Sequence, residues 1–301
     1  MWLPSHATIV EVGPRDGLQN ERSPISTADK IAFVDQLSAA GHGVIEVSAF
    51  VSPKWVPQMA DASDVFAAIT RRPGVRYTAL TPNLQGLERA IAAGVSEVAI
   101  FAAASETFSK RNINQTIDES LANYADVCAA AAKAGLRVRG YLSTCFVCPF
   151  EGPIAPSQVS DVARRLAGLG VIEVVISDTI GAAHPGQVPK VLDAVTQYVA
   201  LENVALHFHD TRGTALANVL AGLDYGVTTF DSSAGGLGGC PFAPGAAGNL
   251  ATEDLLFMLH GLGIETGVSL EAVAAASLAL EPRLDHALPS RYLRAPKLPT
   301  G

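Results

Sequence analysis

The 301-residue chain is 49% hydrophobic and 17% charged, and its formal net charge is −8 at pH 7. That hydrophobic content is ample for a large buried core. The negative balance argues against a general nucleic-acid surface, because phosphate binding needs a basic face. No run of apolar residues is long enough to span a membrane, and the first ten residues lack the features of a signal or transit peptide.

The cysteine content indicates a reducing compartment. Four cysteines in a chain of this length are too few for a disulfide scaffold. Reduced thiols in a cytoplasm are the simpler interpretation. Cys145 and Cys148 form a lone Cys-x-x-Cys pair, which is a weak signal for redox chemistry or zinc, so we expect both to pack in the interior.

One unit repeats along the chain: a helical segment ends in glycine, and a short run rich in Val and Ile follows. Such nearly continuous apolar runs are typical of parallel strands covered on both faces. In chain order, strands are predicted at 8–12, 44–48, 75–80, 97–101, 137–142, 172–177, 204–209 and 228–231. Helices are predicted between them, for example at 28–40, 84–93, 116–134, 157–169 and 214–225.

Eight such units predict an α/β fold, a single-domain (β/α)8 TIM barrel over about residues 8–260. Two more helices are predicted at roughly 250–260 and 270–281. The C-terminal helical extension covers about 261–301, with a loosely ordered tail at 282–301. The alternative is an open doubly wound sheet, which usually has a glycine-rich phosphate turn after its first strand. Here the first strand is followed by Gly-Pro-Arg-Asp-Gly at 13–17 instead.

Two histidines stand out, because catalytic groups of a barrel gather at the carboxyl ends of its strands. His207 and His209 are two apart on a strand, so their side chains point the same way. Two imidazoles in an apolar strand are costly unless they bind something, which predicts metal ligation. Asp16 and Asn249 could add oxygen ligands. A set without thiolate favours six-coordinate Mg²⁺ or Mn²⁺ over structural Zn²⁺, although ligand type alone does not decide between them.

Further polar residues follow other strands. Arg15 is placed to meet a developing oxyanion. Glu46 is a strand carboxylate that needs a partner, either Arg15 or a metal-bound water. Asp178 is either a site residue or the cap of the following turn. The run Gly235–Gly239 has four glycines in five residues and indicates a mobile lid that brings the thiol of Cys240 to a substrate.

Four segments carry a resemblance to a known family. They resemble blocks of the 3-hydroxy-3-methylglutaryl-CoA lyases, and the similarity extends over about residues 8–270. The first and third segments are long and specific. The four segments are Val10–Glu21, Ser52–Met59, Gly236–Pro241 and Gly248–Leu255.

The resemblance implies a TIM-barrel carbon–carbon lyase that cleaves 3-hydroxy-3-methylglutaryl-CoA to acetoacetate and acetyl-CoA with a divalent metal. It implies that Arg15 stabilises the enolate and that Cys240 takes part in catalysis, and we expect His207 to take the hydroxyl proton. Glu46 and Asp178 match acidic active-site positions. The metal-ligand positions of the family match Asp16, His207, His209 and Asn249.

Two departures from the family pattern bear on the substrate. Arg212 stands where a tyrosine is expected, and Phe208 replaces a small residue between the histidines. Arg212 could contact an acyl carboxylate and shift the preference towards another 3-hydroxy acyl-CoA. The CoA phosphates could meet Lys54 or the pair Lys110 and Arg111, although these residues are equally well explained as solvated charges.

Two rival functions stay open at this point. One is a metal-dependent aldolase or condensing enzyme acting on 2-oxo acids, and the other is a catalytically dead barrel that only binds a ligand. We expect an acyl-CoA substrate, no nucleic-acid or membrane partner, and a homodimer or higher homo-oligomer. The family reaction would suit leucine breakdown or ketone-body formation.

Overall fold

The computed structural model describes residues 3–239 and 248–296, and its centre is a closed barrel of eight parallel strands. Each strand pairs with its neighbours in the chain, and the last pairs with the first, in the order β1-β8-β7-β6-β5-β4-β3-β2. The strands are β1 Thr8–Glu11, β2 Val44–Ala49, β3 Arg76–Leu80, β4 Glu97–Ala103, β5 Arg137–Ser143, β6 Glu173–Asp178, β7 Val204–Phe208 and β8 Thr229–Ser232.

The apolar strand sequences explain why the barrel closes inside a layer of helices. All six residues of β2 and all five of β7 are buried, because side chains on one face fill the barrel and those on the other meet the helices. The helices are α1 Thr27–Ala39, α2 Ala62–Ala68, α3 Leu84–Ala92, α4 Glu106–Ile113, α5 Ile117–Lys133, α6 Pro156–Gly168, α7 Val188–Val195, α8 Ala215–Tyr225, α9 Thr252–Gly261, α10 Leu270–Leu280 and α11 Arg291–Arg294.

Short elements complete the connections. A π-helical turn, Gly13–Gly17, follows β1, and 3-10 turns lie at Pro57–Met59, Leu201–Asn203, Ala234–Gly236 and Glu281–Arg283. A two-stranded hairpin pairs Val147–Cys148 with Gly152–Pro153. Among the described residues, no helix combines the length and apolar character needed to cross a membrane.

The predicted TIM barrel is confirmed, and the open doubly wound sheet is excluded because β8 pairs with β1 in parallel. The eight strands lie where the sequence placed them, to within two residues. Strand β7 ends at Phe208 rather than at residue 209, so His209 begins the following loop. The division between barrel and extension at about residue 260 stays a prediction.

The predicted loose order of the tail is wrong for residues 282–296. Leu288 and Ser290 are buried at 1% and 0% exposure. The backbone N–H of Ser290 donates to the carbonyl of Gly235 at 3.1 Å, and its hydroxyl donates to Asp254 at 2.8 Å. The Pro- and Arg-rich composition resembles a loose tail, but these contacts attach it to the carboxyl end of the barrel.

Candidate active site at the carboxyl end of the barrel

The turn after β1 carries two of the predicted site residues. Its backbone forms the π-helical turn Gly13–Gly17, and Pro14 lies at the start of this turn, where a missing N–H costs nothing. A side chain at Gly13 would place its Cβ 2.7 Å from a carboxylate oxygen of Glu11, so this position needs glycine. The turn holds Arg15 buried and Asp16 partly exposed at the barrel mouth.

Arg15 lies between two carboxylates, those of Glu46 and Asp16, and is thus the one of the two partners predicted for Glu46 that the structure shows. Its Nε donates to Glu46 Oε2 at 2.6 Å, and its Nη1 donates to Asp16 Oδ1 at 2.6 Å. Burial raises the pKa of Glu46, and the attraction of the Arg15 guanidinium offsets this only in part. The second oxygen of Glu46, Oε1, is buried and has no hydrogen-bond partner among the described residues. This pairing fixes the guanidinium in one orientation.

Asp16, His207 and His209 form a compact group. One potential ligand atom from each lies within 4.8 Å of the others. The two imidazole rings have centroids 5.2 Å apart, which confirms that both side chains point the same way. The structure therefore brings together three of the four residues predicted to bind a metal, and their role as ligands stays a prediction.

Asn249 reaches this group through backbone pairing. Its residue forms an antiparallel bridge with His209, and its Nδ2 donates to Asp16 Oδ2 at 2.9 Å and to the carbonyl of Leu237 at 3.1 Å. The preceding Gly248 passes so close to Gly238 that an added Cβ would lie 1.6 Å from that carbonyl oxygen. Glycine at both positions lets the two segments meet and delivers Asn249 to the site.

The donor set fits a divalent cation. Asn249 Oδ1 and His209 Nδ1 are buried without a hydrogen-bond partner in the described part of the chain, which is costly unless another group binds there. Burial lowers the pKa of His209 to about 4, which keeps the imidazole neutral as a ligand requires. Burial opposes ionisation of Asp16, but Arg15 and the histidines lower its pKa to about 2. The Asp16 carboxylate, the Asn249 amide oxygen and the neutral His209 imidazole are thus available together, next to the His207 ring.

A second buried network lies behind His207, and it is formed by residues without a predicted role. His207 Nδ1 lies 3.2 Å from Asp231 Oδ2. Arg139 binds the same carboxylate through both terminal nitrogens, at 2.7 and 3.2 Å, and its Nη1 also donates to the Tyr141 hydroxyl at 2.9 Å. The available signal was a charged residue inside each of two strands that the barrel buries, Arg139 in β5 and Asp231 in β8.

Asp178 binds backbone rather than another site residue. Its two carboxylate oxygens accept from the N–H groups of Ala182 and Ala183, each at 3.0 Å. This is the capping geometry that was the alternative interpretation of Asp178. Arg212 donates to the carbonyls of Ile180 and Gly181 at 3.1 and 2.9 Å, which ties it to the same turn. Its contact with a substrate stays a prediction.

Two buried carboxylates without a predicted role hold the start of the glycine-rich loop. Glu11 accepts from the N–H groups of Gly13 and Ala234 at 2.8 and 2.9 Å and from the Thr252 hydroxyl at 2.8 Å. Glu253 accepts the N–H of Gly235 with both oxygens. Glu11 therefore joins the turn that carries Arg15 to Ala234, just before the loop, and Glu253 holds Gly235, the first residue of the loop.

These two carboxylates predict a pH dependence of stability. Burial raises the pKa of Glu11 to about 8 and that of Glu253 to about 7, whereas an unfolded chain releases such protons near pH 4. The folded protein therefore holds more protons between about pH 4 and 8, and stability falls as pH rises through that range. We expect the stability advantage of the wild type over Glu253→Gln, measured by urea unfolding, to shrink from pH 5 to 8. The exposed Glu271→Gln is the charge-matched control, and a constant difference for Glu253→Gln would contradict this prediction.

The remaining predicted residues lie away from this cluster or outside the described residues. Lys110 pairs with Glu106 at 3.3 Å, and Arg111 lies over the Phe150 ring at 4.3 Å. Both belong to α4, and Lys54 is exposed in the turn after β2, so their contact with CoA stays a prediction. Cys240 lies outside the described residues.

The cysteine pair packs as expected. Cys145 and Cys148 are free and buried, and each has a hydrogen-bonding neighbour. The Cys145 thiol donates to the Leu142 carbonyl at 2.9 Å, and Cys148 Sγ lies 3.0 Å from the Ser105 hydroxyl. Burial raises the pKa of Cys145, which disfavours a reactive thiolate.

Comparisons with known proteins find similar sequences and structures over most of the chain. A model of the HMGL-like family matches residues 6–279. A 3-hydroxy-3-isohexenylglutaryl-CoA/hydroxy-methylglutaryl-CoA lyase of Pseudomonas aeruginosa is 55% identical over 276 residues, 92% of each chain. The crystal structure of a hydroxymethylglutaryl-CoA lyase from Pseudomonas aeruginosa superposes with a TM-score of 0.96 at 53% identity and 98% coverage of both chains. A lyase from Acinetobacter baumannii, solved with coenzyme A and 3-methylmalate, has a TM-score of 0.92 at 39% identity, covering 97% of this chain and 95% of that one.

Proposed function

Because the chain belongs to the HMGL-like family, we propose that it is a carbon–carbon lyase that cleaves 3-hydroxy-3-methylglutaryl-CoA to acetoacetate and acetyl-CoA. The observation that carries this proposal is the pairing of Arg15 with the Asp16, His207 and His209 group at one barrel mouth. An anion-stabilising guanidinium beside a candidate metal site is what a retro-aldol cleavage needs. Relatives at 53% and 55% identity named as lyases of this substrate support it.

We assign the metal, Mg²⁺ or Mn²⁺, to Asp16, His207, His209 and Asn249. The unpartnered Asn249 oxygen and His209 nitrogen support this assignment. When bound, such a cation lowers the pKa of a substrate hydroxyl that it polarises. The absence of a thiolate from this group favours these hard cations over structural Zn²⁺.

Arg15 is the group that would stabilise the enolate. Its Nε and Nη1 are held by Glu46 and Asp16, and its Nη2 has no hydrogen-bond partner among residues 3–239 and 248–296. When the bond between C2 and C3 of the substrate breaks, the electron pair of this bond moves into the thioester and forms the acetyl-CoA enolate. A preorganised N–H donor aimed at that oxygen lowers the barrier without reorganisation.

The two roles predicted for His207 compete for its ring nitrogens. Its Nδ1 lies against Asp231, so a ligand role through Nε2 leaves no lone pair for a substrate proton. We therefore assign His207 to the metal and the proton of the 3-hydroxyl to Glu46, whose buried Oε1 has no partner and whose pKa is raised. The enolate then receives a proton at C2, and Cys240 of the glycine-rich loop is the proposed donor.

The proposed partner is an acyl-CoA, supported by the relative that was solved with coenzyme A. We propose a cytoplasmic location, supported by the free thiols of the three described cysteines. A homodimer stays the expected assembly, and light scattering after size-exclusion chromatography measures it. The reaction would suit leucine breakdown or ketone-body formation.

The purified protein should release acetyl-CoA from 3-hydroxy-3-methylglutaryl-CoA in the presence of Mg²⁺ or Mn²⁺. EDTA should stop the release, and added metal should restore it. Both products, acetyl-CoA and acetoacetate, should form in equal amounts. A metal-loaded, folded protein that releases neither product would contradict the proposed reaction.

One relative supports a second candidate substrate. The 55% identical protein is named as a lyase of both 3-hydroxy-3-isohexenylglutaryl-CoA and the methyl compound. Acyl-CoAs with a longer branch at C3 therefore belong in the same assay, and the ratio of kcat/KM values between the two substrates measures the preference.

A further inference from the structure

We propose that Asp231, held by Arg139, is a positioning residue that fixes the His207 ring as the tautomer protonated on Nδ1. The ring then presents the Nε2 lone pair to the metal site. Only one part of the inference rests on the proposed function, namely that the Nε2 lone pair binds a metal. The tautomer itself is a property of the metal-free protein.

The first step of the argument is the charge state of Asp231. The side chain is 2% exposed, and Arg139, which is 3% exposed, binds both of its oxygens. A guanidinium keeps its charge in a protein, and this bidentate geometry is its strongest interaction with a carboxylate. Asp231 is therefore an ionised carboxylate, which can only accept hydrogen bonds.

The second step concerns the ring. A nitrogen 3.2 Å from an acceptor-only oxygen must carry the hydrogen, so Nδ1 of His207 donates to Asp231. In a neutral imidazole the other nitrogen, Nε2, then has the lone pair. The hydrogen bond to Asp231 and the packing of Tyr141 together set the direction of the His207 ring. Tyr141 packs edge-on against this ring, with centroids 6.3 Å apart.

The third step is the anchorage of Arg139 itself. Its Nε donates to Glu173 on β6, and its Nη1 donates to Tyr141. Arg139 lies on β5 and Asp231 on β8, so the pair spans the barrel interior. Because Arg139 is held by Glu173 and Tyr141, it keeps Asp231 in place. Asp231 in turn restricts the orientation of the His207 ring.

Asp231→Asn tests the assignment because the amide has a donor where the carboxylate has none. Arg139 offers only N–H groups, so the amide oxygen must face it, and the amide N–H must then face His207. The ring would have to accept at Nδ1 and carry its hydrogen on Nε2, where no lone pair remains for a metal. We expect Mn²⁺ affinity to fall by about 10- to 100-fold, as for other losses of an outer partner, and kcat to fall more than KM rises.

The matched control is Glu173→Gln. It loses a charged partner of Arg139 but has no contact with His207. We expect reduced thermal stability with unchanged Mn²⁺ affinity. Equal losses of affinity in Glu173→Gln and Asp231→Asn would mean that the network acts only on stability, and this result would overturn the proposal.

The deciding measurement is the nitrogen NMR spectrum of ¹⁵N-histidine-labelled, metal-free wild type at mildly alkaline pH. The His207 signals are assigned by their absence in His207→Ala. Protonated Nδ1 with unprotonated Nε2 is the expected result. Hydrogen on Nε2, alone or together with Nδ1, would overturn the proposal even if Asp231→Asn does not fold. The lyase assay is independent of this spectrum, so failure of the proposed reaction is distinguishable from failure of this inference.

Discussion

Arg15→Gln should reduce turnover of 3-hydroxy-3-methylglutaryl-CoA by about 10²- to 10³-fold or more, the range that follows removal of one preorganised oxyanion donor. The glutamine amide can still donate and accept hydrogen bonds, but it has neither the positive charge nor the guanidinium fork that reaches Glu46 and Asp16 simultaneously. The effect should appear in kcat, because the enolate charge exists only along the reaction path.

Two further variants separate the charge of Arg15 from its geometry. Arg15→Lys keeps the charge but not the planar donor pair, so it should fall between wild type and Arg15→Gln. Arg283→Gln removes an exposed arginine that pairs with Asp29 and should keep wild-type turnover. Circular dichroism and Mn²⁺ titration show whether Arg15→Gln stays folded and binds metal. A folded, metal-binding Arg15→Gln with near-wild-type kcat would remove Arg15 from the proposed mechanism.

The site residues that the sequence predicted share one property. Each is a polar side chain on a barrel strand or in the segment that follows a strand, and in a parallel barrel the carboxyl ends of the strands meet on one side. His207 and His209 could be read as a pair because side chains two apart on a strand point the same way. A partner for Glu46, either Arg15 or a metal-bound water, could be expected because a buried carboxylate needs one. Local rules were sufficient to expect these side chains on one side of the barrel, and their roles stay predictions.

The residues that the sequence did not assign depend on contacts across the barrel. Arg139 and Asp231 are 92 positions apart, and their strands are separated by two others in the barrel. A charge in each strand signals that it needs a partner, but no local pattern identifies which one. The tail shows the same limit, because its order depends on Asp254 and Gly235 rather than on its own composition.

His209→Ala should abolish the stabilisation that a divalent metal gives the protein. A ligand that binds only the folded state adds about 2.7 kcal/mol at a concentration one hundred times its Kd. The thermal midpoint of the wild type should therefore rise as Mn²⁺ is added, and that of His209→Ala should not. Loss of a ligand should weaken Mn²⁺ binding by more than the roughly 10- to 100-fold typical of an outer partner.

The reason lies in the partners of His209. Its Nδ1 is buried and has no hydrogen-bond partner among the described residues, so the folded protein incurs a desolvation cost there that a bound cation would offset. Removal of the ring in His209→Ala removes that desolvation cost together with the packing contacts of the ring. The free energy of unfolding of the metal-free variant should therefore fall by less than the lost packing contacts alone would cause. His260→Ala, which removes an exposed histidine at the end of α9, is the control and should respond to Mn²⁺ as the wild type does. Wild-type Mn²⁺ affinity in His209→Ala would exclude this side chain as a ligand and leave its unpartnered nitrogen without an explanation.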